Sequence, residues 1–364
     1  MKKLCLVKYD MLDSSGGARV CANLANALCG KYDTHVVSIC SEGGGESFYE
    51  LDDLVAHSVL IKGSGRIRET LVEGRRLLRK YIRDNDIDLA IAVGVSINPF
   101  VVAAVRGTKC EAVTWEQLNC LSDFENDLAQ RYCRYLGAKH SDKIVTITEK
   151  DRLAYIEKYR LRPEKVWSIY NWIDEGLLSD ENNYKPDTKR IVTVVRLAPV
   201  KGVENIIEVS KRLAGDFPDW QWHIYGGGEE EYVRKLQSAI IDNGLGDFLV
   251  LKGRADDMYS RYTDYSLSVL TSYCEGFALV LAEAKAKRIP NISFDCLMGP
   301  SDIICDGEDG FLVPVGDIDA LYDKLRACMS DESLRIKLSD NAYGNIEKFS
   351  KAEAIKKWTS LIGE

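Results

Sequence analysis

The sequence predicts an α/β protein of two parallel-sheet domains, and three observations carry that expectation. At 364 residues the chain is too long for one ordinary core and suits two domains of about 150–200 residues each. Short β-branched runs alternate with helical patterns almost throughout, the signature of βαβ units. Polarity rises at residues 174–189, where Ser179-Asp180-Glu181-Asn182-Asn183 and Pro186 mark a linker between two similar series.

In the first series, strands are expected at residues 4–9, 34–39, 88–95, 110–115 and 143–148. Residues 18–29 read as an amphipathic helix, with Val20, Leu24, Ala27 and Leu28 on one side. The second series places strands at 190–195, 220–225, 248–252, 265–271, 290–294 and 311–313, and the last 40 or so residues read as helices. The domains are drawn at 1–173 and 174–348, and a ligand is expected in a cleft between them, outside the carboxyl ends of the strands.

Composition excludes several classes. A 46% hydrophobic and 29% charged chain is globular, and a net charge of −8 argues against nucleic acid as the main partner. Residues 1–170 hold 25 Lys and Arg against 23 Asp and Glu, leaving 23 against 33 for the rest, so the first half is the better match for an anionic surface. Lys8 and Asp10 interrupt the apolar run near the start, so no signal-peptide core is expected. The longest apolar stretch, 90–105, is broken by Asn98 and Pro99 and is shorter than the roughly 20 residues that span a bilayer. Eleven cysteines without a Cys-x-x-Cys pair read as buried thiols of a cytoplasmic protein, with no metal site.

Four segments carry chemistry. Cys274-Glu275-Gly276-Phe277-Ala278-Leu279 follows a strand and is expected to open a helix, with Gly276 making the turn and the amides of Phe277, Ala278 and Leu279 pointing outward as an anion site. Glu283 lies about two turns into that helix. Arg196 and Lys201 lie five residues apart in a loop after another strand, where both can neutralise one diphosphate. Gly226-Gly227-Gly228 precedes three glutamates that would repel a pyrophosphate, so the run reads as a close-approach turn instead of a dinucleotide fingerprint. Gly16 and Gly17 sit between the first strand and first helix, where paired glycines let backbone approach a ligand. Taken singly, each segment also fits a plain core helix, basic loop or turn.

In this order and spacing the four segments resemble the glycosyltransferase family 4 pattern over nearly the whole chain, with Glu275 and Glu283 as its Glu-x7-Glu element. Ser141-Asp142-Lys143-Ile144-Val145-Thr146, Asn171-Trp172-Ile173-Asp174 and Gly299-Pro300-Ser301-Asp302-Ile303-Ile304 also look familial. The resemblance implies a GT-B fold of two Rossmann-like domains, retention of anomeric configuration, and a nucleotide diphosphate sugar as donor. UDP is the commonest donor nucleotide among similar enzymes, and no metal is required. It implies that Arg196 and Lys201 hold the diphosphate, Glu283 the ribose and Glu275 the sugar hydroxyls. The amides of Gly276, Phe277, Ala278 and Leu279 would cradle sugar and phosphate, Arg254 and Gly226 would edge the base, and Gly16 and Gly17 would face the donor. The closing segment from about residue 349 would cross back onto the first domain.

Two departures stand out. The family's glycine motif usually continues with Glu and Arg, whereas Arg19 here follows Ala18 directly. Trp115-Glu116-Gln117-Leu118-Asn119 aligns where many relatives carry a His after the Glu, and Gln117 can hydrogen-bond but cannot carry a proton at neutral pH. Glu116, Gln117 and Asn119 are the candidate acceptor contacts. None of the four histidines falls within these motifs, so each is read as structural or exposed.

Residues 66–83 hold Arg66, Arg68, Arg75, Arg76, Arg79, Lys80 and Arg83 against Glu69 and Glu73, interleaved with Ile67, Leu71, Leu77, Leu78 and Ile82. Such a helix could lie on anionic lipid as a peripheral membrane contact, or pack its apolar side into the core. The expected acceptor is a glycan or lipid-linked saccharide. A non-catalytic partner subunit of a transferase and a sugar-nucleotide epimerase are the rival expectations, separable by donor hydrolysis and product analysis.

Overall fold

The computed structural model describes residues 1–42, 46–121, 128–178, 183–255 and 257–363. The chain divides into two compact units, Met1–Asn171 with Ala354–Glu364, and Trp172–Glu353.

The first unit runs β1 (Lys3–Lys8), α1 (Gly16–Leu28), β2 (Asp33–Ser41), β3 (Ala56–Lys62), α2 (Ile67–Asp84), β4 (Leu89–Val93), α3 (Asn98–Val105), β5 (Glu111–Trp115), α4 (Leu128–His140), β6 (Lys143–Thr146), α5 (Glu149–Tyr159) and β7 (Val166–Ser168). Its sheet has the order β3-β2-β1-β4-β5-β6-β7, with every pairing parallel. Helices cover both faces, so central strands are apolar throughout; all five residues of β4 are buried. β3 and β7 were not expected from the sequence. β3 is a half-buried edge strand without a clean apolar run, and β7 has only three residues, too short to register as a pattern.

The apolar stripe of α2 belongs to the core. Leu78 and Ile82 are buried in a cluster with Phe100 and Ile39, and Arg75 Nε donates to Pro99 O at 2.9 Å. Of the two expectations for this helix, the apolar side packed into the core is the one the structure bears out. What α2 leaves outward is mostly charge, with Arg68, Arg76 and Lys80 well exposed beside the apolar Val72.

In the second unit the series is β8 (Arg190–Val194), α6 (Val203–Asp216), β9 (Gln221–Tyr225), α7 (Glu230–Asp242), β10 (Leu249–Gly253), β11 (Leu267–Leu270), α8 (Leu279–Ala286), β12 (Asn291–Phe294), α9 (Pro300–Ile303), β13 (Gly310–Val313), α10 (Ile318–Ser330) and α11 (Glu332–Ala342). All six strands lie where the sequence placed them, in the parallel order β10-β9-β8-β11-β12-β13. The polar stretch read as a linker is part of this unit. Tyr184 OH donates to Ser266 O at 2.8 Å and Arg335 Nε to Pro186 O at 2.9 Å; residues 179–182 lie outside the described residues.

After α11 the chain returns to the first unit through α12 (Lys351–Ile362). There Trp358 is buried edge-on against Trp115 with ring centroids 5.0 Å apart, and Lys2 Nζ caps Ile362 O at 2.8 Å. The eleven cysteines are free thiols, most of them buried. Among the described residues no helix is long and apolar enough to cross a membrane, and no group of three or more His, Cys, Asp or Glu could hold a metal ion.

Candidate functional site

Parallel strands end at one edge of a sheet, so the segments after β8, β9, β10 and β11 share the carboxyl edge of the second unit. The strand order reverses between β8 and β11, where side chains from two diverging loops meet and ligands of open α/β sheets bind. Lys201 leaves from the β8 side and Glu275 from the β11 side. Lys201 Nζ contacts Glu275 Oε2 at 2.8 Å, with the two side chains only 20% and 11% exposed. An ammonium has three donors, so Lys201 can hold Glu275 and a further anionic oxygen together.

Backbone contacts fix this meeting. Tyr273 N–H donates to Val200 O at 2.9 Å, and Thr271 Oγ1 to Gly202 O at 2.9 Å. Gly202 is left-handed at φ +62°, and a Cβ there would lie 2.3 Å from Thr271 O. Arg196 follows β8 on the same edge and is exposed. The Arg254 side chain lies across Gly227, since a Cβ at Gly227 would come within 2.7 Å of its Nε.

The glycine run after β9 is a close-approach turn, and what it approaches is the neighbouring loop. Leu197 N–H donates to Gly227 O at 2.8 Å and Gly226 N–H to Gly253 O at 2.8 Å. A Cβ at Gly226, where φ is +143°, would lie 1.7 Å from Val195 O.

The helix tip differs from expectation. α8 opens at Leu279, so Phe277 and Ala278 precede it instead of forming its tip, and its N-cap is Ala278 in the left-handed region at φ +58°, which costs a residue with a Cβ about 1 kcal/mol. Leu281 N–H already bonds Ala278 O at 2.9 Å, so helix geometry leaves the amides of Leu279 and Val280 as the outward donors. Gly276, Phe277 and Ala278 precede the helix. Phe277 is a packing residue as well, buried with its ring 5.2 Å from that of Phe349. Glu283 is buried, and Tyr262 OH donates to its Oε2 at 3.1 Å.

In the first unit, Ser15 caps α1 through its Oγ and Gly16 and Gly17 form the helix's first turn after β1. Glu116, expected as an acceptor contact, is instead an internal brace and only 1% exposed. Its Oε2 accepts from Arg134 Nε at 2.8 Å and Tyr155 OH at 2.6 Å, and its Oε1 from the amides of Gln117 and Leu118 at 3.2 and 3.1 Å. Asn119 is also buried, its Oδ1 accepting from Leu121 N–H at 3.1 Å. Gln117 Nε2 is buried with no hydrogen-bond partner among the described residues, which leaves both of its N–H donors unused. His223 is buried against Tyr265 and its pKa falls to about 4, chiefly through burial, so it serves the core.

Residues 14–177 match the family Glycosyltransferase Family 4, and residues 175–345 match Glycosyl transferases group 1. The chain belongs to glycosyltransferase family 4. A glycosyltransferase of Haemophilus influenzae is 27% identical over 363 residues and all of both chains. A Campylobacter jejuni α-1,4-N-acetyl-D-galactosaminyltransferase, named for a diNAcBac-PP-undecaprenol-linked saccharide, is 27% identical over 97% of this chain and 96% of its own. Among solved structures, Anabaena HepE with UDP and glucose superposes with a TM-score of 0.80 at 18% identity, covering 100% of this chain and 99% of that one. The fold is GT-B.

Sequence inspection of this transferase missed Tyr262, Arg134 and Tyr155. Each meets its glutamate from a separate element, so no local motif announces it. The glycine turn yields a prediction. Gly226→Ala should destabilise the transferase by about 2–4 kcal/mol, because backbone strain and a clash with Val195 O act together. Urea denaturation measures it, and a loss under 1 kcal/mol would refute the close-approach account.

Proposed function

We propose that this glycosyltransferase retains anomeric configuration and moves a hexose or N-acetylhexosamine from a UDP-sugar to a glycan or lipid-linked saccharide, without a metal ion. The observation that carries the proposal is the Lys201–Glu275 pair at the strand-order reversal of the second unit. Lys201 and Arg196 hold the diphosphate and stabilise charge growing on the leaving oxygen, and fixed cations there do the work a bound metal does elsewhere. Glu275, held beside Lys201, accepts hydrogen bonds from sugar hydroxyls. The Leu279 and Val280 amides face the phosphate, and Glu283 the ribose. Gln117 stands where many relatives carry a His, and the leaving phosphate takes the acceptor's proton, so no protonated imidazole is needed. The bound UDP and glucose of HepE and the lipid-linked saccharide in the Campylobacter relative's name support this donor and acceptor class.

UDP at about 100 times its Kd should stabilise the fold by about 2.7 kcal/mol, read as a rise in melting temperature. That rise should persist in EDTA. Disappearance of the shift on chelation would overturn the metal-free assignment. Proton NMR of the sugar first released from an α-linked UDP-sugar should show the α anomer, and initial release of the β anomer would exclude retention.

A further inference from the structure

Between β5, α4 and α5 of the first unit lies a sealed polar cluster that no proposed catalytic step uses. Glu116 and Asp151 are both buried, at 1% and 0% exposure, and Arg134 is buried with them at 1%. Asp151 Oδ1 accepts from Cys120 N–H at 2.8 Å, and Thr148 Oγ1 caps Asp151 N–H at 3.1 Å. Glu116 takes the amides of Gln117 and Leu118, and Lys158 Nζ donates to Cys120 O. Five hydrogen bonds to ionisable side chains, counting Arg134 to Glu116, thus bracket the stretch 116–120 from both ends.

We propose that Asp151 is a positioning residue whose uncharged carboxyl lets the stretch 116–120, and with it Gln117, stay in one place. The Arg134 guanidinium pairs with Glu116, so ionising Asp151 as well adds a second negative charge to a dry site. Burial foremost, and then the Glu116 charge, push the Asp151 carboxyl up to about 7. Asp151 Oδ2 is buried without a hydrogen-bond partner among the described residues, which suits a carboxyl that keeps its proton there. The titratable and charged groups around it are Glu116 and Cys120 from the segment after β5, Arg134 from α4, and Tyr155, Lys158 and Tyr159 from α5.

The sign of the effect follows. A carboxyl whose pKa is raised by folding binds more protons when enclosed than when released. Opening of the stretch therefore becomes easier as pH rises from about 4 to about 7, by up to about tenfold per unit, and levels off above that. The contribution of Gln117 rests on the proposed function; the loop's behaviour does not.

Amide hydrogen exchange tests it on the full chain without any ligand. Protection factors for the Gln117, Leu118 and Cys120 amides should fall on the order of tenfold or more between pH 5 and pH 7 in the wild type. In Asp151→Asn, which keeps the acceptor for Cys120 N–H but cannot ionise, they should stay within about twofold. Parallel decline in both proteins, or no decline in the wild type, overturns the proposal; the wild-type profile decides alone should the variant not fold. Hydrolysis of UDP-glucose, UDP-galactose and UDP-N-acetylglucosamine adds a functional arm. Its kcat should carry the same pH 5–7 step in the wild type and lose it in Asp151→Asn, and superimposable profiles overturn the positioning role. Failure to hydrolyse any of the three counts against the donor assignment, leaving the exchange data to judge the loop.

Discussion

Lys201→Ala should lower sugar transfer at least about 100-fold while leaving the fold intact, because a preorganised group facing developing negative charge contributes about 3–4 kcal/mol to the barrier. Two effects combine at this position. The variant loses a cation at the leaving diphosphate, and it strands Glu275, whose carboxylate is only 11% exposed and contacts Lys201 Nζ at 2.8 Å. The Glu275 carboxylate, without the lysine's charge beside it, then faces the incoming phosphates. Glu275→Ala should also lower transfer, but by weakening the grip on the sugar, so donor affinity measured with UDP alone should survive better than in Lys201→Ala. Arg196→Ala should fall between them, since Arg196 is exposed and screened by water. Steady-state kinetics with the best donor and circular dichroism of each variant provide the check. Transfer within threefold of wild type in Lys201→Ala would remove this lysine from the mechanism.

Arg134→Met should cost the first unit about 3–5 kcal/mol, the loss usual when one partner of a buried ion pair is removed. For a unit of this size the melting temperature should fall by about 10 °C. The reason is electrostatic, not volumetric. Glu116 would remain buried with no guanidinium against it, and the Tyr155 hydroxyl bond to Glu116 cannot neutralise a charge. Replacing both partners, Arg134→Met with Glu116→Leu, should recover much of the loss, because matched apolar groups leave no stranded charge. Calorimetry of the three proteins settles it. A single variant that melts within 2 °C of wild type would mean the cluster is solvated.

Several features were open to reading from the chain alone. The strands of the second unit were visible as short β-branched runs, of which β9, β11 and β12 are almost wholly buried. The close-approach character of Gly226 was visible as well, though not that its neighbour is Val195 O. Chain pattern could not reveal β3, whose edge position demands little hydrophobicity, or the start of α8, which a left-handed Ala278 delays beyond Gly276. Glu116 was assigned to the acceptor because its neighbours resemble a motif, whereas its charge is met by residues 18 and 39 positions away.

Sequence by itself determined the architecture and family of this transferase, since hydrophobic periodicity and the order of glycines, cations and glutamates are properties of the chain. Tertiary structure decided which charges meet. Lys201 finds Glu275 across 74 residues, Glu283 finds Tyr262, and Arg134 joins Glu116. A Coulombic contact depends on distance and burial, and both are set by which loops share a sheet edge, not by spacing along the backbone.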